Sequence, residues 1–312
     1  MNPIDTSADL SPYQQELVLR IQRHTPSEGL HETAVPGLRF MRASQVSEPM
    51  PAVYAPSLCM VAQGSKTAAL GEELYRYDPA AYLVTSVHLP IIGKVAEASA
   101  QLPYLSLQLD FRADVIVDIV KDAGVPGTSR TDSLRGIALN RPTASLLDAV
   151  LRLVRLLHAP ADIPTLAPLF VREVLYRVLQ GEQGALIRQF AVIGSHAHSI
   201  SKAIQLLHRD YSKALHMEEL AKEVSLSPSA LFKHFKKVTA LSPLQYQKAI
   251  RLQEARRLLL TERLDAAEAG FRVGYESPSQ FSREYARLFG RPPISDVLHV
   301  RESALPQESS SL

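Results

Sequence analysis

Two short stretches of the chain carry side chains suited to the polar edges of nucleic-acid bases. The first holds Ser229, Phe232 and Lys233, and the second, fifty residues on, holds Ser279, Gln280 and Arg283. A Lys or Arg can pair with guanine, Gln can pair with adenine, and an apolar group can touch the methyl of thymine. Lys236, Lys237 and Arg287 lie a turn further along and suit phosphate oxygens, which set register without specifying sequence. Other readings stand beside these. Phe232 can be buried next to Leu231, and Lys233 and Arg283 can serve as backbone contacts.

Each stretch must sit on a helix for these residues to share a face. Ser227 can cap the first by accepting a hydrogen bond from an early N–H, and Pro228 suits the first helical position. Leu231 and Phe235 are four apart, so both should point into a core. The pattern returns as Ser277, Pro278, Phe281 and Tyr285. The preceding residues repeat too, with Ala221 matching Gly270, small enough for two helices to approach closely. Gly274 fits a turn position that needs positive φ, and Ser225 does so less well. Each unit therefore reads as helix, turn, helix, the second helix of which enters a major groove. The motifs fall at about residues 217–239 and 266–289. A helix from Pro243 to about residue 260 joins them. At 1.5 Å per residue it spans roughly 27 Å, near one DNA turn of about 34 Å.

Two such motifs joined by one long helix resemble the DNA-binding domain of the AraC/XylS transcription regulators. The residues that carry the likeness are Val273-Gly274-Tyr275, Phe281-Ser282-Arg283-Glu284-Tyr285, Leu288-Phe289-Gly290 and Arg291-Pro292-Pro293. The resemblance implies the same six base readers as the helical spacing. A partner of this kind favours positive charge. Residues 200–312 hold 17 Lys and Arg against 13 Asp and Glu, whereas residues 1–199 hold 17 against 19. The basic excess thus sits with the repeat.

Upstream the character changes. Gly and Pro punctuate short apolar runs between residues 31 and 110, and residues 104–110 alternate as a half-buried strand should. Short strands with regular turns predict a small sandwich or barrel. This region resembles the amino-terminal domain of one AraC-type subgroup through Glu32-Thr33, Pro36-Gly37-Leu38, Pro56-Ser57-Leu58-Cys59, Gln63-Gly64, Lys66 and Tyr77-Asp78. That likeness implies a cupin-like β-barrel used for sensing. His88 stands where this subgroup leads one to expect Asp. His31 and His88 are isolated, without the paired pattern of a metal-binding cupin, so neither a metal nor another cofactor is expected. Helices are expected at residues 11–24, 113–123, 143–158 and 166–179, with a chain break at Ile163-Pro164 and a hinge at residues 195–199. Their apolar stripes suit either core packing or a homodimer face.

The expected architecture is α+β: a cupin-like β-barrel sensor domain with flanking helices, then an all-α DNA-binding domain with two helix-turn-helix motifs. Its parts are an N-terminal helix and arm (1–30), a sensing domain with a helical dimerisation or linker segment (31–193), the DNA-binding domain (194–302) and a disordered tail (303–312).

Cys59 is the sole cysteine, which excludes a disulfide within the chain and favours the cytoplasm. No run is long and apolar enough for a membrane span, and the N-terminus lacks a secretory pattern. Cys59 reads either as a small buried hydrophobe or as a reactive thiol. Reactivity needs a nearby positive group, and Lys66 is the nearest in sequence. Cys59 and Lys66 are therefore the effector-sensing candidates, for a small molecule or an electrophile. The expected partners are double-stranded promoter or operator DNA, such an effector and RNA polymerase, in an activating regulator. The alternative is a catalytic barrel fused to a DNA-binding module. The lack of paired carboxylates, a nucleophile elbow or a zinc cysteine cluster argues against an enzyme.

Overall fold

The computed structural model describes residues 9–122, 135–182, 184–191, 195–262 and 264–304. Helix α1 (Ser11–His24) has Pro12 in its first turn and buries Leu17 and Ile21, as its apolar spacing requires. Strands β1 (Gly29–Glu32), β2 (Leu38–Ala43), β3 (Met50–Tyr54), β4 (Ser57–Gln63), β5 (Ser65–Leu70), β6 (Glu73–Tyr77), β7 (Tyr82–Thr85), β8 (Leu89–Glu97) and β9 (Tyr104–Asp110) follow. Then come α2 (Ala113–Asp122), β10 (Ile137–Asn140), α3 (Ala144–Arg155), α4 (Ile163–Gln180) and α5 (Gly184–Ala191). The C-terminal part is helical: α6 (His196–Arg209), α7 (Met217–Glu223), α8 (Pro228–Thr239), α9 (Pro243–Thr261), α10 (Ala266–Arg272), α11 (Pro278–Phe289) and α12 (Pro293–Ala304).

The strands form two antiparallel sheets, ordered β1-β2-β9-β4-β7-β10 and β3-β8-β5-β6. Central β4 is buried on both faces, which explains its unbroken apolar run. Leu58, Met60 and Ala62 pack with α1, α3 and α4, while Cys59 and Val61 meet Ala68, Leu70, Ile91 and Val95 of the smaller sheet. Among the described residues no strand pairs one sheet to the other. The expected barrel is therefore an open, cupin-like sandwich. Its smaller sheet ends in β3, where Pro51 has no N–H to offer a further strand, and in β6, which leaves Leu74 and Arg76 exposed.

Two other expectations are corrected. Ile163-Pro164 begins α4 instead of breaking the chain, because a missing N–H is harmless in a first turn. The break falls earlier, at the 3₁₀ turns Leu156–His158 and Pro160–Asp162. Residues 195–199 are not a free hinge either. Ser195 caps α6 by accepting from the His198 N–H at 3.0 Å, and it donates to the Gln189 carbonyl at 2.7 Å. The core also runs across this point: Leu83, Val87 and Leu89 share one cluster with Ile204, Phe235, Val238 and Tyr246. The second motif has its own cluster, built from Leu252, Ala255, Val273, Phe281 and Tyr285. Most of the expected tail lies outside the described residues.

Candidate DNA interface and its contact with the sensor

The first motif is α7, a turn and α8. Ser225 occupies the turn at φ +58°, a left-handed conformation that Gly274 takes at +91° in the second motif. Ser227 accepts from the Ala230 N–H and Ser277 from the Gln280 N–H, both at 3.3 Å. Helix α8 closes on left-handed Ala240 and α11 on left-handed Gly290, again fifty residues apart. Leu231, Phe235, Phe281 and Tyr285 are fully buried, which turns the opposite faces outward.

All six base-reading candidates, Ser229, Phe232, Lys233, Ser279, Gln280 and Arg283, are exposed. Phe232 keeps 48% of its surface, so it does not join Leu231 in the core. Lys236 and Arg287 are exposed, and Lys237 is half-buried. Gln280 donates to Glu284 at 3.1 Å, and Glu284 also accepts from Lys248 and from the Tyr275 hydroxyl, both at 2.8 Å. Burial opposes charge on Glu284, but these donors outweigh it and hold the carboxyl below its ordinary value.

Inside the sandwich Cys59 is 7% exposed, with its Sγ 3.8 Å from the Ser57 hydroxyl. Burial pushes the thiol pKa up; the charge of Lys66 pulls the other way and is outweighed. Lys66 lies with its Nζ 5.5 Å from the ring centroid of Tyr54. His31 contacts the Ser27 carbonyl at 2.8 Å.

A family model described as the AraC-type transcriptional regulator N-terminus matches residues 34–186, and a helix-turn-helix domain model matches residues 220–295. The chain belongs to the AraC/XylS family. It is a DNA-binding transcription regulator with the N-terminal domain of that family. It is 25% identical over 210 residues to the Msm operon regulatory protein of Streptococcus mutans, covering 65% of this chain and 70% of that protein. It is 28% identical over 122 residues to the lactose operon transcription activator of Staphylococcus xylosus, covering 39% of this chain and 44% of that protein. Among solved structures, ToxT of Vibrio cholerae shares the fold, with a TM-score of 0.56 at 11% identity over 83% of this chain and 98% of that one.

In this AraC/XylS chain the sensor holds the first recognition helix directly, a contact for which the sequence carries no motif. Arg135 donates to the carbonyls of Lys236 at 2.9 Å and Lys237 at 2.7 Å, and the Gly136 N–H donates to the Val238 carbonyl at 2.9 Å. The last carbonyls of a helix lack partners of their own, so the sensor supplies the cap that α8 needs. Glu73 accepts from the same guanidinium at 2.6 and 2.8 Å and takes the Tyr75 hydroxyl on its other oxygen at 2.6 Å. Nearby, Tyr246 of α9 donates to the His88 carbonyl at 2.8 Å and meets His208 Nε2 at 2.9 Å. The rings of His88 and His208 lie 4.6 Å apart.

Proposed function

We propose that the chain reads two successive major grooves of operator DNA, with Ser229, Phe232 and Lys233 in one and Ser279, Gln280 and Arg283 in the next. Lys236, Lys237 and Arg287 hold phosphates and fix the register. The observation that carries this reading is the outward display of all six candidates by helices whose opposite faces are buried. The relatives are transcription regulators, which supports a non-enzymatic role.

The sandwich then serves as the sensor. An effector would act by preferring one arrangement of the two halves over another. Solved ToxT structures carry an unsaturated fatty acid in one case and (E)-4-(8-methylnaphthalen-1-yl)but-3-enoic acid in another, which supports a small organic effector. The raised thiol pKa of Cys59 favours that over an electrophile. Dimerisation, contact with RNA polymerase and action in the cytoplasm complete the reading.

The test is binding measured across salt and across operator variants. Arg283→Ala should cost about 1–3 kcal/mol and relax specificity at one base pair. Lys236→Ala should weaken all sequences alike and lower the salt slope by about one. Equal weakening of every sequence by Arg283→Ala would make that residue a backbone clamp, and no effect in a folded variant would remove the second motif from the groove.

A further inference from the structure

We propose that Arg251, on the helix joining the two motifs, is the positioning residue that fixes the distance and angle between the recognition helices. The regulator is thereby intolerant of changes in the spacing of its two half-sites. This rests on the reading that both motifs enter DNA.

The guanidinium of Arg251 lies between the two motifs. Its Nε donates to the Tyr211 carbonyl at 2.7 Å, and its Nη2 donates to the carbonyls of Lys213 at 2.9 Å and Ser212 at 3.3 Å. These three belong to the loop that leads into α7, the first helix of the first motif. Its Nη1 donates to the Gly274 carbonyl at 2.9 Å, in the turn of the second motif. One planar group thus ties the lead-in loop of one reader to the turn of the other. The Tyr275 ring centroid lies 6.0 Å from the guanidinium carbon.

The two motifs also touch. A Cβ built on Gly274 would fall 2.1 Å from the Ser212 carbonyl oxygen, so backbone meets backbone there. Gly274 therefore serves twice, for its φ of +91° and for this approach. Helix α9 is consequently more than a spacer that sets a length. It packs into both cores, through Tyr246 and Ile250 with the first motif and through Leu252 and Ala255 with the second. The freedom that such packing leaves is a small rocking of one reader against the other. Arg251 removes that freedom near the midpoint, and Gln247 supports it by donating to the Lys213 carbonyl at 2.9 Å. The role needs Arg in particular. Five donors in a rigid fork can serve several carbonyls in one plane, whereas an ammonium on a flexible stem cannot hold both sides in one geometry.

A rigid pair of readers meets an inserted base pair as a displacement of about 3.4 Å along the DNA and roughly 35° around it. A jointed pair can follow that change. The full-length protein would be titrated with a DNA site obtained by in vitro selection, with the same site carrying one base pair inserted or deleted between its halves, and with half-site DNA. The parent should lose about tenfold or more on either altered spacing. Arg251→Lys should flatten that loss to about threefold or less while half-site affinity stays within about twofold. A parent that tolerates either altered spacing overturns the proposal, whatever the variants do. So does Arg251→Lys that keeps full discrimination, or that loses half-site and full-site affinity in equal proportion.

A second measurement needs no DNA. Spin labels at Glu219→Cys and Glu268→Cys in a Cys59→Ser background report the distance between the motifs. The distribution should be narrow with Arg251 and broad with Arg251→Lys; equal widths overturn the proposal. A narrow-to-broad change beside an Arg283→Ala variant without effect on DNA would instead place the failure in the DNA reading.

Discussion

Arg135 of the sensor sits 2.7 Å from the Lys237 carbonyl and closes the end of the first recognition helix. The cap and the DNA-facing residues therefore share one helix. Tyr75 is half-buried, packs against the core between the sheets and donates to Glu73, which in turn holds Arg135. A chain of hydrogen bonds thus runs from Tyr75 through Glu73 and Arg135 to the last turn of α8.

Arg135→Ala should free the last turn of α8. The bonds are charge-assisted but partly exposed, so the loss should be about 1–2 kcal/mol. Hydrogen exchange is the readout. Amides of residues 238–240 should exchange faster while those of β4 and β9 keep their protection. Glu73→Gln keeps the cap and should do less. Unchanged exchange in α8 would show that the Gly136 bond and the shared core suffice.

His208 predicts an acid response. Burial and the nearby charge of His88 lower its pKa from 6.5 to about 4. A histidine with a folded-state pKa below its unfolded value stabilises the fold in its neutral form. That contribution is whole above about 6.5 and is lost as pH falls toward 4. His88 shifts the same way, through burial, although Asp110 opposes it. The sensor and the first motif should therefore loosen between about pH 6.5 and pH 4. Denaturant midpoints across that window should fall less steeply in His208→Gln than in the parent. Some slope should remain, because burial also lowers the pKa of His24, away from this contact. Identical slopes would dismiss the pair as a pH-sensitive contact.

The sequence was most legible where local chemistry alone decides structure. Helix α1 follows from Pro12 and a 3.6-residue apolar period, and both recognition helices follow from a Ser-Pro start. The sheets were harder. Strands β3 and β8 contain Pro51 and Pro90, which read as breaks. Pro51 survives on an edge strand, and Pro90 lies beyond the stretch of β8 that pairs with β5. The outward residues of α8 and α11 could be counted off from the buried ones. Arg135 and Arg251 could not be found this way. The partners of Arg251, and those through which Arg135 caps α8, are backbone carbonyls far away in sequence, which leave no mark in residue type, and a charged residue on a helix or loop reads by default as solvated.

Gly270 offers a test of how the second motif packs. Replacing a glycine inside a helix with Ala gains about 1 kcal/mol of propensity. Here an added Cβ would lie 3.0 Å from the Phe281 ring, which is fully buried. Tyr275 and Tyr285 stand edge-on to that ring at 5.4 and 5.6 Å, so it has little room to retreat. Overpacking of this kind costs about 1–3 kcal/mol and should win. Gly270→Ala is therefore expected to destabilise by about 1 kcal/mol. The first motif shows the remedy, since its equivalent pair is Ala221 and Leu231. Phe281→Leu alone should cost more, through the space it empties. The double variant, Gly270→Ala with Phe281→Leu, should be more stable than the two single losses add up to, with a coupling of about 1 kcal/mol. Denaturant unfolding of the parent and three variants measures it. Strict additivity would mean that the second motif relaxes around the new methyl, and that the Ala-to-Gly difference between the motifs has no packing cause.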